Sequence, residues 1–130
     1  MHPFILEAGV VAAAEVTTLK TEPVPNGHMF TALSVVAMDE DSAIATYIMI
    51  GIASGTKLIP VDSTPGAFAA LTSMTIYWPF MLAPGQAVFA KFATPSAGDH
   101  LTLIAHGVLA ALEEPTYEER QYHGDAECHL

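Results

Sequence analysis

Residues 75–109, TIYWPFMLAPGQAVFAKFATPSAGDHLTLIAHGVL, decide the fold of this 130-residue chain. The stretch contains three extended apolar runs, 75–81, 87–92 and 101–109, which are separated by the breaks APGQ and TPSAGD. Apolar runs of this length bounded by Gly, Pro and Asp are typical of β-strands joined by turns. Within 87–92 two sets of side chains alternate, Val88, Ala90 and Phe92 against Ala87, Phe89 and Lys91. The stretch therefore predicts three strands.

Earlier in the chain, residues 43–53 give the clearest strand signal. Every second position carries Ile44, Thr46, Ile48, Ile50 and Ile52, while Tyr47 and Met49 lie on the opposite face. A period of two places these side chains on one face of a strand, whereas a helix would scatter them around its circumference. The segment predicts a core strand, and its apolar opposite face suggests cover on both sides.

Further strands are expected at about 14–20, 28–38 and 56–61. Residues 28–38 alternate, so the two predicted faces are Met29, Thr31, Leu33, Val35 and Ala37 against Phe30, Ala32, Ser34 and Val36. Pro60 marks 56–61 as an edge strand, because proline donates no ladder hydrogen bond. Residues 67–73 would accept one or two helical turns.

Seven or eight short strands with a turn every eight to twelve residues predict an all-β fold, an antiparallel β-sandwich. The sequence lacks the Cys…Trp…Cys spacing of an immunoglobulin domain, so a jelly roll or a related Greek-key sandwich is favoured. The expected organisation is an N-terminal arm over 1–13, a sandwich domain over 14–109 and an irregular acidic C-terminal tail over 110–130.

Composition indicates that part of the surface is covered by partners. Apolar residues make up 52% of the chain and charged residues 14%, against a usual charged share of about 25%. A small domain cannot bury that much apolar side chain within itself, so a homo-oligomer or a subunit of a larger assembly is expected. The net charge of −10 argues against binding to nucleic acid or to an anionic membrane surface. The longest apolar run, 43–53, is also far short of the roughly 20 residues of a membrane-spanning helix.

No pattern in the sequence predicts an enzyme, a cofactor or a metal centre. His100 and His106 would lie about 20 Å apart on one strand at ~3.3 Å per residue, too far to share a metal within one chain. Ordinary surface or packed histidines are expected, and a metal site formed across subunits is the alternative. Asp39-Glu40-Asp41 resembles a calcium loop in charge only, because the glycine and the terminal glutamate of that loop are missing. The serines lack a Gly-x-Ser-x-Gly context, and no phosphate-binding glycine pattern occurs.

The densest aromatic group, YWPFM at 77–81, is the candidate interaction site. Core packing is one interpretation of Tyr77, Trp78 and Phe80; an anchor for a protein partner or a platform for a sugar ring is the other. Pro79 prevents the segment from being a fully paired central strand, which favours a partly exposed edge. The tail adds residue types that are common at interface hot spots, Tyr117, Arg120 and Tyr122.

The order of turns and strands resembles the small jelly-roll or β-sandwich structural proteins of tailed bacteriophages, such as capsid cement (decoration) proteins and head–tail accessory subunits. The resemblance covers roughly 24–109 and rests on the PNGHMF turn and strand, the isoleucine strand ending in IASGT, the LAPG turn and SAGD followed by HLTLI. It implies a non-enzymatic virion protein on the capsid surface, made in the host cytoplasm. It also implies a homo-oligomer, with a trimer favoured, bound to the major capsid or another shell protein. The alternative is a receptor- or carbohydrate-binding module with Tyr77, Trp78 and Phe80 as its platform.

Overall fold

The computed structural model describes residues 1–13, 16–41, 47–63, 73–93 and 95–112. Nine β-strands lie in these ranges: β1 His2–Val11, β2 Thr17–Lys20, β3 His28–Asp39, β4 Ile48–Ser54, β5 Lys57–Ser63, β6 Ser73–Ile76, β7 Phe80–Leu82, β8 Ala87–Phe92 and β9 His100–Ala111. None of the described residues lies in a helix that is long and apolar enough to span a membrane.

The strands form two antiparallel sheets packed as a sandwich. The five-stranded sheet has the order β1-β9-β3-β6, with β7 also paired to β3, and the four-stranded sheet has the order β2-β8-β4-β5. The pairs are nested along the chain: β1 with β9, β2 with β8, β3 with β6 and β7, and β4 with β5. Counting the interrupted β6–β7 as one strand, this is the eight-stranded jelly roll. The predicted antiparallel sandwich is confirmed.

The core lies between the two sheets and draws on both. Its largest fully buried side chains include Phe30, Phe92, Leu6, Ile48, Ile50, Ile76, Leu82, Leu101 and Leu103. Ile48 and Ile50 face this core as the period-two pattern predicts, and Ile52 packs against it while partly exposed. Ile44 lies outside the described residues.

The expected N-terminal arm is wrong, because residues 2–11 form β1. This strand pairs with β9 over ten consecutive residues, from His2 opposite Leu109 to Val11 opposite His100. Leu6 is fully buried, and Phe4 and Ala8 pack partly buried against the core. Pro3, Glu7 and Gly9 are unusual in strands, so the alternation of buried and exposed residues in this segment is hard to see in the sequence. Their backbones nevertheless adopt the strand because β9 supplies a partner. The sandwich therefore begins at His2.

The predicted alternation of β3 is wrong beyond Ala32. The register of β3 against β9 shifts between Ala32 and Ser34, so Leu33 is the extra residue of a β-bulge. A bulge exchanges the two faces of the strand that follows it. Phe30 and Ala32 therefore share the buried face with Val35 and Ala37, while Leu33 is 49% exposed.

The single strand expected over 75–81 is interrupted. Val35 pairs with Ile76 in β6, Ala32 pairs with Phe80 in β7, and the three residues between those strands are unpaired. Pro79 cannot donate to the ladder, and the bulge on β3 lies directly opposite the break. The bulge in β3 and the break between β6 and β7 therefore lie side by side in the sheet.

The remaining predictions hold in part. The strand expected at 14–20 is confirmed over Thr17–Lys20, and the edge strand marked by Pro60 is confirmed as β5. β9 continues to Ala111, two residues beyond its predicted end. Residues 42–46, most of the ambiguous 67–73 and the tail from 113 onward lie outside the described residues.

Candidate interaction face

The side of the five-stranded sheet that points away from the core is mostly apolar. We call this surface the outer face. It consists of side chains that alternate with the buried ones along β1, β9 and β3, and register places them in rows, such as Ile5 beside His106 and Thr31 beside Val108. Its large apolar members with high exposure are Ile5, Val11, Leu33 and Met81.

A groove crosses the outer face at the level of the bulge. It has a volume of about 550 Å³ and is lined by Pro3, Phe4, Ile5, Leu33, His106, Gly107 and Val108. Pockets of this size, roughly 300–1,000 Å³, are typical of ligand sites. The bulge creates the groove by pushing Leu33 out of the ladder. Among the described residues that line the groove, His106 alone has a titratable side chain.

The aromatic group predicted as an interaction site divides between surface and core. Tyr77 is 78% exposed and Trp78 is 49% exposed, so the core-packing interpretation is wrong for these two residues. Phe80 is partly buried and packs against the core. Because the break at 77–79 lies opposite the bulge, Tyr77 and Trp78 stand at the far edge of the sheet, level with Leu33. Tyr117, Arg120 and Tyr122 lie outside the described residues.

Residues of the groove escaped prediction because pairing, not local pattern, brings them together. One signal was available. Gly107 interrupts β9, and a glycine inside a strand often marks a bulge or a close approach of another backbone. A Cβ at Gly107 would lie 2.8 Å from Cζ of Phe30 and closer still to the carbonyl oxygen of Thr31.

Among the described residues, lysine occurs only on the four-stranded sheet. In the described part of the chain the basic residues are Lys20 on β2, Lys57 on β5 and Lys91 on β8. The strands of the five-stranded sheet contain neither lysine nor arginine. The outer face is therefore apolar with acidic groups at its margins.

Those acidic groups gather at one end of the sheet, where β3 ends and β9 begins. Oδ2 of Asp41 accepts hydrogen bonds from the backbone N–H of His100 at 2.6 Å and from its ring Nδ1 at 2.9 Å. The hydrogen bonds from the backbone and ring of His100 hold the pKa of Asp41 below its usual value of 3.8. The same side-chain hydrogen bond raises the pKa of His100 above 6.5.

Three carboxylates converge at this end, and we call Asp39, Asp41 and Asp99 the acidic corner. Each can offer one oxygen, and those oxygens lie within 4.8 Å of one another. Carboxylate oxygens are ligands that calcium and magnesium accept. Asp39 and Asp41 belong to the turn whose charge resembles a calcium loop, while Asp99 arrives from the turn before β9. Convergence of acidic groups is also common without a metal, and the expectation of a metal-free protein stays a prediction.

No protein-family model matches this chain, and no curated protein matches its sequence. Solved structures match it in fold at low identity. A family 35 carbohydrate-binding module from Clostridium thermocellum is 14% identical with a TM-score of 0.42, over 81% of this chain and 98% of that one. The family 35 module of Cellvibrio japonicus Abf62 is 14% identical with a TM-score of 0.41, over 85% and 98%. The pentamer-forming, histone-binding core of Drosophila NLP is 9% identical with a TM-score of 0.43, over 82% and 98%.

Proposed function

We propose that this chain is a non-enzymatic binding module that docks onto another protein through the outer face of its five-stranded sheet. One observation carries the proposal: the outer face combines an apolar groove with the exposed side chains of Leu33 and Met81, and the exposed rings of Tyr77 and Trp78 stand at the edge of the same sheet. Exposed apolar surface gathered on one sheet marks an interaction site. Aromatic side chains beside it are the residues that most often anchor an interface.

The chemistry of the surface favours a protein partner of apolar contact surface. The groove offers few polar groups, and such a lining gains binding energy by excluding water. Asp41, the exposed member of the acidic corner, favours a basic residue at the margin of the partner. The absence of lysine and arginine from the strands of this sheet makes an anionic partner unfavourable.

In its narrower form the proposal is a cement or decoration subunit whose partner is the shell protein of a virion, as the resemblance of the turn sequences implies. The jelly roll itself favours no single role, because capsid proteins and lectins both use it. The narrower form therefore depends on identifying the partner.

Site-specific photo-cross-linking tests the proposal. A benzophenone amino acid at Leu33, which is 49% exposed on the outer face, should trap a partner protein in the cells that make this chain. Leu58, which is 40% exposed on the opposite sheet, provides a matched control position and should trap none. A shell protein among the adducts would support the narrower form. Equal yields at the two positions, or no adduct at Leu33, would contradict docking by the outer face.

Carbohydrate binding is a second candidate, favoured by the exposed adjacent rings of Tyr77 and Trp78. An aromatic ring can stack on the apolar face of a sugar, while its polar atom stays in water. Trp78 is the single tryptophan of the chain, so its fluorescence reports directly on this position. Titration with a panel of oligosaccharides should shift the emission if a sugar stacks there, and an unchanged spectrum across the panel would exclude this candidate.

A further inference from the structure

The outermost strands of the two sheets differ greatly in how well they resist pairing with another chain. Exposed edges normally carry short strands, lysine, proline or bulges, because an open edge invites a further strand. β2 and β6 have four residues each and β7 has three. β5 carries Lys57, Pro60 and a register shift opposite Ile50 and Gly51. These edges are all protected.

β1 carries little of that protection, since Pro3 near its N-terminal end is its one protecting residue. It has ten residues, contains no lysine, and keeps one register with β9 along its whole length. Its large apolar side chains Ile5, Val10 and Val11 are exposed, at 48%, 41% and 57%. Glu7 is its only acidic residue. Among the described residues, β1 is the one long edge that is open to a further strand.

The free hydrogen-bonding groups of β1 belong to its odd-numbered residues. Ala12, just after the strand, donates to the carbonyl of Asp99 at 2.7 Å and accepts from the N–H of Gly98 at 2.9 Å. Both of its backbone groups thus point toward the β9 side. Because these groups alternate along an extended chain, those of Ile5, Glu7 and Gly9 point the opposite way. Pro3 has the same parity, so its missing N–H costs no bond to β9 but removes one donor from the open side of β1.

We propose that β1 pairs antiparallel with β1 of a second copy of this chain across a twofold axis at Leu6. A twofold contact is isologous, so one strand must complement itself. With Leu6 opposite Leu6 of the second copy, Ile5 lies opposite Glu7. The exposed C-terminal end of β1 is also paired in this register. Val11 lies opposite Met1 of the second copy, and Val10 lies opposite His2 of the second copy.

Neighbouring registers are less favourable. Residues that lie directly opposite each other in a sheet point to the same face. The second copy can therefore slide along β1 only in steps of two residues if the buried side chains of both copies are to stay on the core face. Centring on Glu7 places two carboxylates opposite each other, which is destabilising. Centring on Ile5 leaves Val10 and Val11 beyond the paired region. The Leu6-centred register avoids both costs.

This inference does not rest on the proposed function, since it concerns the edge and leaves the outer face open. It joins the two outer faces side by side, because Pro3, Phe4 and Ile5 line the groove at the β1 edge. Composition predicted a homo-oligomer, and the resemblance favoured a trimer. Edge pairing of β1 gives a dimer instead.

Two substitutions at one position test both the partner and the register. Ile5→Lys would place lysine opposite Glu7 of the second copy, whereas Ile5→Glu would place glutamate there. Both remove the same apolar side chain from the same exposed position. Sedimentation equilibrium should give twice the 13.8 kDa chain mass for the wild type and for Ile5→Lys, and the single mass for Ile5→Glu.

A second pair of variants separates edge pairing from docking by the outer face. Glu7→Pro removes an N–H that points away from β9, so the domain should stay folded by circular dichroism yet become monomeric. Glu7→Gln keeps that N–H and should remain dimeric. Leu33→Lys places a charge on the outer face away from the edge and should also remain dimeric.

Three results would overturn the inference: a wild type of single mass at micromolar concentration, equal masses for the two Ile5 variants, or a monomeric Leu33→Lys. The first two are expected if a different protein, or residues 113–130 of the same chain, occupy the edge. The result of cross-linking at Leu33 does not depend on these masses. Cross-linking therefore tests docking by the outer face, and the masses test pairing of β1.

Discussion

The two sheets of this sandwich differ at their centres in how far the chain itself covers the apolar side chains that point away from the core. On the four-stranded sheet, Phe89 points away from the main core yet is fully buried, in a small cluster with Ala53, Ala87 and Met49. It lies over Gly51, where a Cβ would come within 2.6 Å of its ring. Lys20 is paired directly opposite Phe89 and adds charge to that side. The five-stranded sheet leaves Leu33, Met81 and Trp78 uncovered and has no lysine.

This difference between the sheets distinguishes apolar side chains that stabilise the fold from apolar side chains that are free to contact a partner. An apolar side chain on an outer surface contributes to stability only when the chain itself covers it, as Gly51 and its neighbours cover Phe89. Leu33 and Trp78 stay in contact with water, so they add little to stability, and the proposed function assigns them to binding. Three predictions test this separation.

The largest effect is expected from Phe89→Ala. Removing a fully buried phenylalanine should lower the free energy of unfolding by about 3–5 kcal/mol. Trp78→Ala removes a larger ring from the exposed edge of the other sheet and should change stability by about 0.5 kcal/mol. Urea denaturation of the two variants measures both values. A similar loss of unfolding free energy in the two variants would contradict the proposed difference between the sheets.

A smaller loss is expected when the close backbone approaches are blocked. Gly51→Ala and Gly107→Ala each force a methyl group against a neighbouring strand, and overpacking of this kind costs about 1–3 kcal/mol. Gly9→Ala is the control, because its Cβ would meet only the carbonyl oxygen of Leu101 at 3.6 Å. In thermal and urea unfolding, Gly9→Ala should be more stable than the other two variants. A Gly107→Ala variant as stable as the wild type would refute the close approach at the bulge.

The smallest effect concerns the pH dependence of the acidic corner. The raised pKa of His100 makes its contribution complete below pH 6.5 and lost as the pH rises through the folded-state pKa. The lowered pKa of Asp41 makes its contribution complete above pH 3.8 and lost as the pH falls through the folded-state pKa. The pair therefore stabilises most between these two values.

Asp41→Asn should flatten the upper part of this profile, because the ring of His100 loses its anionic partner. The midpoint of thermal unfolding, measured across pH 4–8 for both proteins, checks this. Because both side chains are largely exposed, the effect is small and salt-sensitive. A wild-type midpoint that rises above pH 6.5 relative to Asp41→Asn would contradict the assigned direction.

Much of the fold follows from local pattern. The period-two isoleucines predict β4, the proline at 60 predicts an edge, and the Gly and Pro breaks around 87–109 predict β8 and β9. Each signal depends on residues adjacent in sequence. The candidate site depends on residues that are far apart, and the sequence predicted only its aromatic end, Tyr77 and Trp78.

By itself, the sequence determined that the chain alternates in short strands with more apolar surface than one small domain can bury. Only the tertiary structure decided where that surface lies. Alternation shows that a strand has two different faces, but which face is covered depends on partners distant in the chain. Pairing with β9 turned the expected arm into β1, and the bulge at Leu33 exchanged the faces of β3. The same bulge lies opposite the break at Pro79, where Tyr77 and Trp78 are exposed at the edge of the sheet.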